Sequence, residues 1–320
     1  MGNAFVALAD EPLGAFWNPA GIAQIKTFQI QGMYAKWVPG FKMEDAYVAS
    51  EAVVYQVTKR FTIGQQFTQL QIDGSDRRYT FSESFAISID EKNLLGATFK
   101  YFREEADMSY YSSSLTFESE GMAVDIGLIR KTVDPVEGKP LSLGLSVSNI
   151  GPKISTMFTE ISDPPTPADL SGERNRYATI YPAEPIPTLF RFGFASEQVN
   201  DGTHQFLIAF EIEKELVTRH WDGSSDPLFE ALTTSWTDTP FLTDLTYHVG
   251  AEYWYKGLLG LRLGYWNDER GQVKPVTVGA SVDLHSLYDF TLRFDVSYVS
   301  EAEDHPLNGT TRFSLTIDLP

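Results

Sequence analysis

Five histidines, 43 carboxylates and no cysteine are the groups from which this 320-residue chain could build a reactive centre. Imidazole serves as a general base or a metal ligand, and either role needs partner groups held at a fixed spacing. His204, His220, His248, His285 and His305 show no metal-ligand spacing. The lack of cysteine excludes disulfides, thiolate catalysis and cysteine-ligated zinc, and leaves the redox compartment open. No Gly-x-Ser-x-Gly elbow presents a serine nucleophile, and no glycine loop is placed to cradle phosphate. Asp73-Gly74-Ser75-Asp76 and Asp222-Gly223-Ser224 are turns, because no bidentate glutamate follows at the distance a calcium loop requires. Asn308-Gly309-Thr310 matches a glycosylation acceptor, but Asn-Gly ahead of a strand is more simply a hairpin turn. The carboxylates form no pair that stands out. The sequence thus predicts no catalytic residue, no metal site and no cofactor, and it gives an enzyme no support.

The elements that must position these groups are strands. No apolar run approaches the roughly 18 residues that a transmembrane helix needs. A barrel strand needs only ~9–11 residues with one apolar face. Segment 244–256 sets Leu245, Tyr247, Val249, Ala251, Tyr253 and Tyr255 against Thr246, His248, Gly250, Glu252 and Trp254. The same period-2 alternation runs through 258–266, 274–284, 289–299, 309–319, 141–148 and 206–213. It is weaker near 24–35, 44–57, 59–70, 77–90, 93–104, 119–131 and 187–197. These segments make about fourteen strands, and single-chain bacterial barrels close with an even number. The fold predicted is all-β, a closed antiparallel transmembrane barrel.

The two faces differ in kind. One is rich in glycine, serine and threonine with isolated charges: Glu252, Arg262, Arg293, Asp295 and Arg312 are expected to face the lumen. The other is branched and aromatic, with Tyr247, Tyr253, Tyr255, Tyr265, Phe290 and Tyr298 near strand ends, as in a girdle at a membrane interface. The competing architecture is a soluble β-sandwich whose apolar faces meet in a core. Net charge, −18, argues against nucleic-acid binding, which needs a basic surface. It is compatible with acidic loops and a wet lumen, with membrane lipids as the outer partner.

Connections alternate in length. Short ones fall near Thr58, at Asp90–Lys92 and at Lys256-Gly257; long ones are expected near 105–118, 151–186 and 217–243. Short turns on one side and long loops on the other suit a barrel with both termini on the periplasmic side. Loop 151–186 carries Pro164 and Pro165 in a proline-rich stretch that favours stiff, unpaired backbone. Loop 217–243 carries Trp221, Phe229, Trp236 and Phe241, which suggests a binding surface or a loop folded onto the barrel mouth. The sequence shows no signal peptide, which an outer-membrane protein carries. Met1-Gly2-Asn3-Ala4 is therefore expected to follow a removed upstream segment.

Gly2 to Asp10, followed by Phe16-Trp17-Asn18-Pro19-Ala20-Gly21, resembles the opening of FadL-like outer-membrane proteins. That resemblance implies that residues 1–23 form a plug inside a barrel spanning 24–320, with Trp17, Asn18, Pro19, Ala20 and Gly21 as the plug motif. Four further segments resemble the PorV family of the type IX secretion system. They are Asn149–Ile154, Glu213–Val217, Gly250-Ala251-Glu252-Tyr253 with Leu261–Tyr265, and Pro306–Leu315. The chain departs from PorV where Thr218-Arg219-His220-Trp221 replaces a proline-rich stretch, and Gly21 is closer to the wider superfamily. A PorV-like protein would sit in a Bacteroidota-like outer membrane. It would bind the C-terminal domains of secreted cargo and shuttle them from the translocon barrel to attachment-complex proteins at the cell surface. The prolines and aromatics of the long loops are then the expected cargo-docking residues. The alternative is a FadL-like transporter of hydrophobic small molecules. The arginine, aspartate and serine content of the lumen face leans toward the shuttle.

Overall fold

The computed structural model of the chain describes residues 1–320 apart from 42–45, 73–74, 111–112, 163–174, 181–182, 218–223, 238–244, 269–272, 285–289 and 303–304. The described residues form sixteen strands. They are β1 (Phe28–Lys36), β2 (Tyr47–Gln56), β3 (Phe61–Ile72), β4 (Asp76–Ser88), β5 (Asn93–Tyr110), β6 (Ser113–Val133), β7 (Pro140–Ile150) and β8 (Thr156–Ser162). The rest are β9 (Asn175–Ile180), β10 (Leu189–Asn200), β11 (His204–Glu215), β12 (Leu245–Tyr255), β13 (Leu259–Asp268), β14 (Val276–Leu284), β15 (Thr291–Ser300) and β16 (Thr311–Leu319). Fourteen of them form an antiparallel meander that closes where β1 pairs with β16. The exceptions are β8 and β9, a pair that adds to the outer half of β6. Closure removes every free edge from the wall.

Register fixes the faces. Leu261 opposes Tyr253 and Ala280, and Phe294 opposes Val282 and Leu315, so their side chains share the outer surface. Phe81, Phe99, Leu261, Leu263 and Phe313 are all more than half exposed there. An apolar band of this extent is unsuited to water and suited to lipid. The buried core lies inside the barrel, where Ala9, Ala15, Ala20, Ile22 and Ile25 pack against Val54, Ala86, Leu94 and Ile129.

The short connections carry recognisable turn chemistry. Lys256 and Gly257 both have positive φ, 53° and 63°, as the centre of the tight turn between β12 and β13 requires, where the Leu258 N–H donates to the Tyr255 carbonyl at 3.0 Å. Asp90, Asp134 and Asp201 each accept two backbone N–H bonds within their turns. These bonds hold each carboxyl below the usual aspartate range; the Asn93 side chain acts most on Asp90, the Glu137 N–H on Asp134 and the His204 N–H on Asp201.

The long connections depart from the sequence expectation. Residues 105–118 are not an irregular loop, because β5 continues to Tyr110 and β6 starts at Ser113. The stretch keeps the period of two, with Ala106, Met108, Leu115 and Phe117 against Glu105, Asp107, Thr116 and Glu118, so the expected loop cut short two strands that the alternation marks. The segment is extended because β5, β6, β8 and β9 build one ladder beyond the rim. Within 151–186, β8 and β9 are paired strands, and Pro164 and Pro165 lie outside the described residues. Within 217–243, Leu228–Thr237 forms helix α1. Trp236 on α1 packs edge-on against Phe190 of β10 at 5.4 Å, with the Lys214 ammonium 5.3 Å from its ring. Phe229 is 82% exposed, whereas Trp221 and Phe241 lie outside the described residues.

This topology gives a direct expectation. A Ser224→Cys variant should react with an impermeant maleimide on intact cells, and a Lys256→Cys variant only after the outer membrane is breached. The reverse pattern would invert the barrel.

Candidate binding vestibule in the lumen

Residues 1–25 run inside the barrel and divide its interior. Two short 3-10 turns, Pro12–Phe16 and Pro19–Gln24, each start at a proline, whose missing N–H costs nothing in a first turn. Asn18 caps the second turn, its Oδ1 accepting from the Ala20 N–H at 3.1 Å. Its Nδ2 donates to the carbonyls of Val6 at 2.8 Å and Leu128 at 3.1 Å, so one fully buried amide ties two parts of the segment to the wall.

The wall accommodates the segment by leaving out side chains. Gly96 faces Gly127 across β5 and β6, and Gly250 faces Gly264 across β12 and β13. A Cβ on Gly96 would overlap the Pro19 backbone, and one on Gly264 would overlap the backbone nitrogen of Gly2. The wall also satisfies the segment's backbone. Glu211 Oε2 accepts from the N–H groups of Phe5 at 2.8 Å and Val6 at 2.7 Å. Gln31 accepts from Leu13, Thr277 accepts from Gly2, and Ser146 donates to the Trp17 carbonyl. A chain segment in a water-poor lumen needs such partners, because unpaired buried backbone groups are costly.

Above the segment, toward the long-loop side, lies a cavity of about 560 Å³. Its floor is Leu13, Phe16 and Trp17, and its walls include Met33, Trp37 and Trp266. Its polar lining includes Gln31, Ser50, Arg191, Glu213, His248, Asp295 and Arg312. Phe16 is shared with a second hollow of about 400 Å³ reaching Lys100, Arg103 and Asn149.

The structure brings four of the predicted lumen charges into one network. Arg262 contacts Glu252 at 2.5 Å and Asp295 at 2.8 Å, and it also bonds Ser281. Arg293 bridges Asp295 at 3.3 Å and Glu11 of the segment at 2.5 Å. Arg312 stands apart. It lines the vestibule opposite Ala35 and Ser297 and has no carboxylate partner among the described residues. Trp17 stacks edge-on with Phe5 and Phe16, while Pro19, Ala20 and Gly21 are buried in the segment's packing.

Sequence reasoning singled out neither Arg191, with Glu211, Glu213 and His248 beside it, nor the buried pair of Lys100 and Asp125. Arg191 Nε lies 2.6 Å from Glu213 and 3.7 Å from Glu211. Lys100 Nζ lies 2.6 Å from Asp125, with side chains only 7% and 0% exposed. The available signal was a charge on the polar face of a strand; which charges meet depends on register, which alternation does not specify.

The fold and interior define a closed fourteen-stranded barrel of the outer-membrane type, with a chain segment inside it. No family model and no curated protein matches the chain. Among solved structures it is similar to the toluene transporter TbuX of Ralstonia pickettii, with TM-score 0.58, 11% identity, and coverage of 100% of this chain and 96% of that one. It is similar to a FadL homologue of Pseudomonas aeruginosa, with TM-score 0.58, 14% identity, and coverage of 99% and 95%. The toluene transporter TodX of Pseudomonas putida follows at TM-score 0.53 and 12% identity, with coverage of 99% and 93%.

Proposed function

We propose that this chain is an outer-membrane channel for a small hydrophobic molecule with one polar or anionic end. On this reading, residues 1–25 are the plug that closes the lumen until the molecule moves it. The observation that carries the proposal is the vestibule. Its volume, about 560 Å³, lies within the ~300–1,000 Å³ typical of small-molecule sites. Its aromatic floor offers apolar contact, and the guanidinium of Arg312, which has no carboxylate partner among the described residues, offers one fixed point for a polar group. The transporters that share the fold are consistent with this class of cargo. Most charges of the lining are ion-paired, Arg262 with Glu252 and Asp295 and Arg191 with Glu213, so they do not favour the shuttle.

A second reading is the PorV-like shuttle. The observation in its favour is the sheet beyond the rim, which ends in the edge strand β9, with Ile180 71% exposed. An extended strand of a cargo domain could add to such an edge.

One comparison separates the readings. Proteoliposomes holding the purified protein should take up an alkylbenzoate faster than empty ones. Trp37→Ala and Arg312→Gln should each slow uptake by roughly tenfold, the equivalent of ~1.4 kcal/mol of lost binding. No uptake by the parent protein, with capture of secreted C-terminal domains in a pull-down, would replace the channel with the shuttle.

A further inference from the structure

The vestibule wall holds a second constellation that neither reading uses. Glu211 and Glu213 alternate inward on β11, and His248 lies directly opposite Glu211 on β12. One ligand atom from each of the three lies within 4.8 Å of the others. We propose that these residues form a binding site for a divalent first-row transition cation such as Zn2+.

The argument rests on the atoms left over. His248 Nδ1 lies 2.9 Å from the carbonyl oxygen of Gly2, which can only accept. Nδ1 therefore carries the proton, and in the neutral ring the lone pair falls on Nε2. Nε2 is buried and has no hydrogen-bond partner among the described residues, and the same holds for Glu211 Oε1. Two buried orphan atoms on directly opposed residues need an explanation in a folded protein. The donors are one imidazole nitrogen and carboxylate oxygens, a set that suits zinc and its neighbours.

The outer atoms of both ligands are already fixed, as metal-ligating side chains require. His248 donates to a backbone carbonyl, the usual support for a ligating imidazole. Glu211 Oε2 is held by the Phe5 and Val6 N–H groups, which leaves Oε1 to face the cluster. Charge also favours a cation. Two carboxylates meet one guanidinium, that of Arg191, so the cluster keeps a formal negative charge. Arg191 also has somewhere to go, since its Nη1 lies 3.2 Å from Ser148 Oγ. A cation at ~2.0–2.2 Å from each ligand draws the ligand atoms together by about 1.5 Å at most. Glu213, His248 and Arg191 all line the vestibule, which supplies both an entry path and an open coordination position.

The site also has a structural consequence. Both buried ligands bind the segment through their other atoms, so a cation would tighten the wall around Gly2, Phe5 and Val6.

Zinc titration of the untagged, chelator-treated full chain in detergent, followed by calorimetry, tests this. One equivalent of Zn2+ should bind with a Kd of about 1 μM or tighter, and Mg2+ should not compete. Glu213→Gln and His248→Gln should each weaken binding by ~10–100-fold, the scale of a lost metal-site group. Heat-modifiable gel mobility should confirm that both variants remain folded; Glu213, the more accessible ligand, guards against a folding artefact at His248. Arg191→Gln should tighten binding by removing the competing cation. The proposal is overturned if the parent protein binds no Zn2+ or binds Mg2+ equally well. It is also overturned if folded Glu213→Gln retains full affinity, or if binding appears only after Arg191→Gln.

Discussion

An Asn18→Ala variant should release the segment from the lumen and convert a closed barrel into a conducting one. Asn18 is fully buried and makes no contact with bulk solvent. Its amide satisfies the carbonyls of Val6 and Leu128 and caps the turn that begins at Pro19. Alanine leaves these backbone groups without their partner in a place that water reaches poorly. Each orphaned group costs about 1–3 kcal/mol, and the lost cap costs about 1 kcal/mol. A combined loss of roughly 3 kcal/mol raises the fraction of open barrels by ~100-fold. Single-channel recording in planar bilayers would detect it. Gly264→Leu should produce the same opening by another route, because its side chain occupies the space of the Gly2 backbone. Both variants should retain the heat-modifiable mobility of a folded barrel. Conductance unchanged from the parent in both would mean that the segment does not close the lumen.

Replacing Arg262 by methionine should have the largest effect on the barrel itself. Arg262 stands between Glu252 and Asp295, and its side chain is only 19% exposed. Methionine keeps much of the volume but leaves two carboxylates facing each other with Ser281 between them. Removing one partner of a buried ion pair costs about 3–5 kcal/mol; here Asp295 keeps Arg293 at 3.3 Å, and Glu252 is the charge left uncompensated. The lower end applies here, since the vestibule admits some water beside Asp295. Urea unfolding in detergent would measure the loss. Adding Asp295→Asn to the variant should recover part of it, with a coupling of about 0.5–3 kcal/mol. Strictly additive effects would show that the network is a coincidence of neighbouring charges.

Glu252, Arg262, Arg293 and Asp295 alternate with apolar residues along their strands and meet in one network, and Arg312 lines the vestibule. The alternation follows from local geometry, because successive side chains point to opposite faces and lipid accepts only one kind of face. The outer halves of β5 and β6 keep the period of two in Ala106, Met108, Leu115 and Phe117, and their backbones are paired to Tyr110 and from Ser113, so the loop expected at 105–118 is a correction. The pair β8 and β9 depends on a partner, the first part of β6, that is distant in sequence, and no local pattern specifies such a pairing. Trp236 read as an exposed docking residue or as a loop folded on the barrel mouth. It packs on Phe190, a contact that depends on where α1 lands on the rim.

The sequence by itself marked the fourteen strands of the wall, their alternating faces and a turn start at Asn18-Pro19. Those are properties of single segments, carried by a period of two and by the chemistry of a turn. Tertiary structure decided which inward groups meet. Glu211 and His248 are far apart in the chain and carry no shared spacing, yet register sets them opposite each other. Arg312 has the same sequence signature as Arg262, yet only Arg262 finds carboxylates across its neighbouring strands. The interior glycines likewise look like ordinary gaps in a strand until the segment lies against them. Pairing register and the path of residues 1–25 are long-range choices, fixed by closure of the whole sheet and by the need to satisfy a backbone enclosed within it.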